Sequence, residues 1–309
     1  MRSGLGRLGQ VSDFEVPAAE ELPLAVLMQL ARREVEDDDG EVAMPALSAL
    51  QRRSSREVFD RAAALVSDSD VTRRELGVRI LRELGDEQPG GRRAHREQTV
   101  ALMRARLRDE SDPAVTHWIV SALGYHHARE ALPEVVALAG HPDGRVRFHV
   151  AAALPSLVNL DSAELEAVDA LIRLCHDDDA DTRYYALYAA TREIGGLDVH
   201  TVIRLTVQLA DDPDEQVRAM AVAHNEAIRE ARELLTNALE PGTATGGYDH
   251  LVGPVLVALA CAGDAEDAQQ WLDEEIRRHL GKPAARLRTT GIAEQLVTWW
   301  SARESRIWS

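Results

Sequence analysis

The sequence predicts an all-α chain, an α-solenoid (superhelix) of antiparallel helix pairs. Three observations carry that prediction. One template recurs five times: an acidic turn, a Val or Thr, usually an Arg, two variable residues and an Ala-rich run. The copies read DSDVTRRELGVRIL from Asp68, SDPAVTHWIVSALG from Ser111, HPDGRVRFHVAAAL from His141, DDADTRYYALYAA from Asp178 and DDPDEQVRAMAVAH from Asp211. Their anchors Thr72, Val115, Val146, Thr182 and Val217 are spaced by 43, 31, 36 and 35 residues, the period of a helix pair. The intervening stretches 98–109, 131–140, 163–175 and 199–211 place apolar residues at i, i+3, i+4 and i+7, the stripe of an amphipathic helix. Alternating β-branched runs and Asn-Gly hairpin turns are missing.

The elements follow in chain order. Residues 1–19 read as a flexible tail, and helices begin near residue 20. EVEDDDGE, 34–41, reads as a solvated acidic loop. Asp112-Pro113 and Asp212-Pro213 set an N-cap acceptor before a proline at the first helical position. Asp161 and Glu164 have capping-box spacing. Gly85, Gly124 and Gly140 follow apolar runs, as C-terminal caps do. The solenoid is expected over 20–238, with its clearest repeats at 68–230, and LEPGTATGG makes 239–247 a linker or long loop. Residues 248–309 lack the template and read as a helical cap or degenerate repeats, with helices near 249–262, 265–279 and 285–307. Trp299, Trp300 and Trp308 are either anchors onto the array or a partner surface.

Composition bounds the function classes. The 309 residues are 45% hydrophobic, enough for a sizeable core, and the net charge of −17 argues against a generally basic nucleic-acid or anionic-membrane binder. No apolar stretch approaches a membrane span or a signal-peptide core, so a soluble cytoplasmic protein is expected. Lys282 is the sole lysine; with the abundant Arg and Ala it suggests a GC-rich bacterial genome. Cys175 and Cys261 sit in apolar helical runs and read as buried small hydrophobes, with neither disulfide framework nor zinc spacing.

The template resembles the second helix of HEAT repeats, of the kind grouped with phycobilisome-lyase-like HEAT proteins. The family pattern of a turn Asp, Val-Arg, two variable residues and small apolar residues is met by Val146-Arg147 with Ala151, Ala152 and Ala153, and by Val217-Arg218 with Ala221. Thr72-Arg73 and Thr182-Arg183 replace Val by Thr, and Val115-Thr116 lacks the arginine. Stacked pairs bury jointly what one pair cannot, and Arg73, Arg147, Arg183 and Arg218 are expected to pair with turn acids. The resemblance implies that second helices line a concave face and that the two variable residues project into it.

Read on that basis, the central repeats place His117, Trp118, Phe148, His149, Tyr184 and Tyr185 on one ridge, with Ser121 and Tyr188 one turn on and Tyr125 and His126 extending it. Arg74-Glu75 and Ala219-Met220 take the same places in the outer repeats. Six of the thirteen aromatics fall between 118 and 188, twice an even spread, and their repeat-equivalent positions favour groove lining over core filling. Residues 157–240 carry eighteen acids against seven arginines, a stretch that would steer a cationic, Arg- or Lys-rich partner.

The leading expectation is a scaffold or adaptor that binds a protein or peptide on the concave face. The alternative is an enzyme or small-molecule site at the His/Tyr/Trp cluster. No cofactor or metal is expected. A HEAT-repeat di-iron hydroxylase carries His-Glu pairs at the two variable sites, where this chain has His117-Trp118, Phe148-His149 and Tyr184-Tyr185. HEAT-like DNA glycosylases need a basic groove, and a bilin-lyase role rests on the family grouping alone. GxSxG, Walker and GxGxxG motifs are missing.

Overall fold

The computed structural model describes residues 22–38, 43–88, 93–159, 162–194 and 197–239, with residues 252, 255, 256, 259, 270 and 295–301 beyond them. The expected tail 1–19, the 239–247 loop past Leu239, Asp161, Cys261, Trp308 and most of the C-terminal helices lie outside the described residues. Among the described residues the chain is helical and no β-strand is present. It divides into two compact units, 1–126 and 127–309.

The first unit holds three helix pairs: α1 (Leu24–Glu36) with α2 (Pro45–Arg52), α3 (Arg56–Leu65) with α4 (Val71–Arg82), and α5 (Arg96–Asp109) with α6 (Pro113–Tyr125). The second repeats the plan: α7 (Leu132–Val136) with α8 (Gly144–Leu157), α9 (Leu165–Leu174) with α10 (Ala180–Tyr188), and α11 (Val199–Leu209) with α12 (Glu215–Leu239). Second helices pack on second helices, α4 on α6 in the first unit and α8, α10 and α12 in series in the second. Each unit is thus a stack with a continuous Ala/Leu/Val core, in which Leu76, Ile80, Ile119 and Leu123, or Val150, Leu154, Leu171 and Leu187, are fully or almost fully buried. Cys175 is buried, and burial pushes its thiol up to about 12.

The turns explain why the template recurs. Asp70, Asp112, Asp143 and Asp179 cap their helices through side-chain acceptance of a first-turn N–H. Asp214 does the same for Gln216 and Val217. The residue two before each cap accepts the cap's own N–H: Asp68, Glu110, His141 Nδ1, Asp177 and Asp212. Four residues after the cap, an arginine donates Nη1 to two turn carbonyls, from Arg74 to Asp68 and Ser69, Arg147 to His141 and Pro142, Arg183 to Asp177 and Asp178, and Arg218 to Asp212 and Pro213. Its other edge grips the next repeat's acid in a two-point pair. Arg74 holds Glu110 at 2.9 and 3.1 Å, Arg147 holds Asp177 at 2.6 and 2.8 Å, and Arg183 holds Asp212 at 2.8 and 2.8 Å.

This geometry corrects several expectations. The ladder arginine of the first repeat is Arg74, because only it lies four residues past the cap. Arg73 is a surface residue paired with Asp68, so that repeat is shifted by one. Asp212 is no N-cap: Asp214 caps α12, and Asp212 is the buried acid held by Arg183. Glu164 itself occupies the N-cap position of α9 and makes no side-chain cap bond there. Gly85 does turn left-handed at φ 77° after α4, donating its N–H to Gln51 O at 2.6 Å. Gly124 instead lies inside α6, and beyond that helix the left-handed residue is His127 at φ 47°; Gly140 has no positive φ.

The described C-terminal residues pack against α12 of the second unit. Trp300 is 6% exposed in a cluster with Ala227, Ile228, Ala231 and Leu235 of α12 and Val252, Val255, Leu256, Leu259 and Leu296. Trp299 donates its indole N–H to Glu230 at 2.7 Å, and the Arg192 guanidinium lies 5.2 Å from the Trp300 ring. These contacts bury the flank of α12 that an unstacked terminal repeat would expose.

Candidate functional site

With the first repeat re-registered, residues five, six and nine past each cap are equivalent. They are Glu75, Leu76 and Arg79 on α4; His117, Trp118 and Ser121 on α6; Phe148, His149 and Ala152 on α8; Tyr184, Tyr185 and Tyr188 on α10; and Ala219, Met220 and Ala223 on α12. One neighbour relation recurs in both units: position five of one repeat meets position six of the next. Glu75 accepts the Trp118 indole N–H at 3.0 Å, and Phe148 packs edge-on against Tyr185 with ring centroids 4.9 Å apart.

In the first unit the chain's own arginines lie against the ridge aromatics. Arg79 lies 4.4 Å from the Trp118 ring while its Nη1 donates to Asp38 at 2.7 Å and Glu75 at 3.1 Å. Arg82 lies 5.2 Å from Trp118 and 3.8 Å from Tyr125, and Arg93 lies 5.8 Å from Tyr125. Burial raises the Glu75 carboxyl above its ordinary pKa against the opposing pull of Arg79 and the Trp118 N–H. His117 and Ser121 are each 7% exposed, so they belong to the packed interior of α6 rather than to an open face, and His126 is buried with a ring nitrogen 2.9 Å from Leu81 O. Tyr125 keeps 40% of its surface. A separate cleft of about 290 Å³ in this unit is lined by Ser48, Gln51, Arg52, Glu83, Gly85, Asp86, Glu87 and Arg93, and includes none of the predicted residues.

In the second unit the ridge is open. Tyr185 and Tyr188 are 43% and 40% exposed, one turn apart on α10, and Phe148, His149 and Tyr184 are half-buried. The rings contact in sequence, His149 to Phe148 at 5.1 Å, Phe148 to Tyr185 at 4.9 Å and Tyr185 to Tyr184 at 5.8 Å. Immediately after Tyr188 the helix widens into a π-turn over Ala189–Glu193, an insertion that re-aims the residues beyond it. Burial lifts the Glu193 carboxyl above its ordinary pKa.

The structure therefore gathers Phe148, His149, Tyr184, Tyr185 and Tyr188 on one two-helix face and sets His117, Trp118, Ser121 and Tyr125 in the other unit. Sequence reasoning placed Glu75 on the ridge, paired with Arg74, but missed Arg79 and Arg82 as ridge neighbours; the cap at Asp70, counted forward as in the other repeats, would have found them. Among the described residues no group of three or more His, Cys, Asp or Glu is arranged to hold a metal ion, and no described helix is long and apolar enough to cross a membrane.

Comparison with known proteins agrees with this architecture. Residues 100–190 match the family model for HEAT repeats. No curated protein matches the chain. The crystal structure of YibA from Escherichia coli is 16% identical, with 97% of this chain and 100% of that one covered and a TM-score of 0.54, a likeness of fold. The CpcE–CpcF complex of phycocyanin lyase from Nostoc sp. PCC7120 is 19% identical over 77% of this chain and 94% of that one, at a TM-score of 0.44. An archaeal HEAT-like repeats protein from Thermococcus onnurineus NA1 is 13% identical over 94% and 99%, at 0.42. Residues 100–190 are thus similar to HEAT repeats, and the fold is an all-α solenoid of helix pairs of that kind.

Proposed function

We propose that this protein is a scaffold or adaptor that binds a protein or peptide on the second-helix face of its second unit. The observation that carries this reading is the contiguous ring set on α8 and α10, with Tyr185 and Tyr188 each about two-fifths exposed. Tyrosines supply large, rigid contact area at low entropic cost and keep a hydroxyl for hydrogen bonding, the chemistry of interface anchors. The first-unit aromatics suit this role less, since Arg79 and Arg82 already occupy the Trp118 ring. The exposed acids Asp178, Asp181 and Asp211 at the neighbouring turns favour a cationic partner.

Affinity capture from native lysate tests the reading. Tyr185→Ala and Tyr188→Ala should each cut recovery of the bound protein about fivefold or more, in line with loss of an interface anchor. Recovery unchanged by both substitutions, in variants that unfold at the parental temperature, would overturn it.

A further inference from the structure

The two units answer the same geometric question differently, and the difference identifies an occupant. In the first unit, the aromatic at position six of one repeat, Trp118, is covered by guanidiniums from positions nine and twelve of the preceding repeat, Arg79 and Arg82. In the second unit the aromatic at position six is Tyr185, and positions nine and twelve of the preceding repeat are Ala152 and Pro155. The two registers correspond, because Glu75 touches Trp118 and Phe148 touches Tyr185 from the same position five. Ala152 is exposed and too short to reach over the ring, and Tyr185 keeps 43% of its surface. The fold thus holds an arginine on this ridge in one unit and presents the ring without that arginine in the other.

We propose that the Tyr185 ring, beside Ala152, receives an arginine side chain from a partner protein segment, in the place Arg79 takes over Trp118. The proposal rests on the binding face argued above and names the chemistry of its partner. Arginine suits the place better than lysine, since a planar guanidinium stacks on an aromatic face and loses less hydration in doing so. The chain around the ring supplies the matching field: residues 157–240 carry eighteen acids against seven arginines. Tyr188, one turn on along α10, extends the apolar wall along which the arginine's methylene stem can lie.

The test uses the full chain and a fluorescein-labelled hexa-arginine peptide, read by anisotropy at about 150 mM salt, where long-range charge effects are damped. Tyr185→Ala should weaken binding about three- to tenfold, the range of an aromatic–cation contact. Tyr185→Phe should bind within twofold of the parent, about the limit of resolution in such a ratio. Ala152→Arg should place the chain's own guanidinium over the ring and weaken binding at least as much as Tyr185→Ala. Val207→Arg adds the same charge at an exposed site on α11 and should leave affinity within about twofold. Equal affinity for hexa-lysine, or equal effects of Ala152→Arg and Val207→Arg, would show attraction by charge alone and overturn the proposal. Lysate capture that depends on Tyr185 and Tyr188 yet is unchanged by Ala152→Arg would also overturn it, while leaving the binding face itself standing.

Discussion

At the scale of single residues, the turn ladder concentrates the chain's electrostatic specificity. Arg183 and Asp212 are both buried, joined at two points, and the Asp212 carboxylate also accepts the Asp214 N–H. Burial alone would raise the Asp212 pKa, but Arg183 and the Asp214 N–H outweigh it and hold the group below its ordinary 3.8. Removing one partner leaves the other charge buried, so Asp212→Ala should cost about 3 kcal/mol at neutral pH, measured by urea unfolding. The pH dependence follows from the lowered folded pKa. The contribution is complete above the unfolded value and is lost as pH falls through the folded one. The stability gap between parent and Asp212→Ala should therefore hold from pH 7 to about 5 and close below about pH 4. A gap that instead widens on acidification would contradict the assignment. The ladder also shows a paired exception. Thr116 stands where the arginine belongs, bonding its own Asp112 carbonyl, and His141 stands where the following acid belongs. Both members are replaced together, at the register where the chain divides into two units.

Among the elements, the α3–α4 pair shows how packing reverses a propensity. Glycine in a helix interior ordinarily costs about 1 kcal/mol relative to alanine. At Gly77 of α4, however, a Cβ would meet Ala62 O at 2.7 Å, Leu65 Cβ at 2.9 Å and Val66 N at 2.9 Å, and two of these three are backbone atoms that cannot swing aside. Gly77→Ala should therefore destabilise the protein by about 1–2 kcal/mol in urea unfolding, because overpacking exceeds the propensity gain. Gly140→Ala, where a Cβ meets nothing within 4 Å, should change stability by less than about 0.5 kcal/mol. A stabilised Gly77→Ala would refute the close-approach argument. The helices themselves are legible in the sequence because caps and apolar periodicity are local signals, which is why α5, α9 and α11 fall close to their expected spans. Three features are not legible for equally physical reasons. Thr72-Arg73 imitates the Val-Arg signature one residue early, hiding Arg74. Asp212-Pro213 imitates a cap, although the helix begins two residues later. That an arginine of the preceding repeat lies against Trp118, while the equivalent position beside Tyr185 is Ala152, is a relation between repeats, which no single helix pattern contains.

For the whole molecule, the proposed arginine contact assigns the net charge of −17 and the open ring to different steps of binding. Many acids are already committed: Asp177 and Asp212 to ladder arginines, and Asp179, Asp198 and Asp214 to helix caps. The exposed remainder, including Asp178, Asp181 and Asp211, contributes a long-range field that, on the proposed reading, would speed encounter with a cationic segment without fixing its pose. The Tyr185 ring, on the same reading, would act only at contact. Stopped-flow mixing with the hexa-arginine peptide should separate the two. The association rate should fall steeply as salt rises from about 50 to 300 mM, because screening shortens the field. Tyr185→Ala should leave that slope and the association rate unchanged while raising the dissociation rate about three- to tenfold, since short-range contacts govern residence time. A Tyr185→Ala variant that slows association and leaves dissociation unaltered would place the ring outside the bound contact and assign recognition to the acidic field alone.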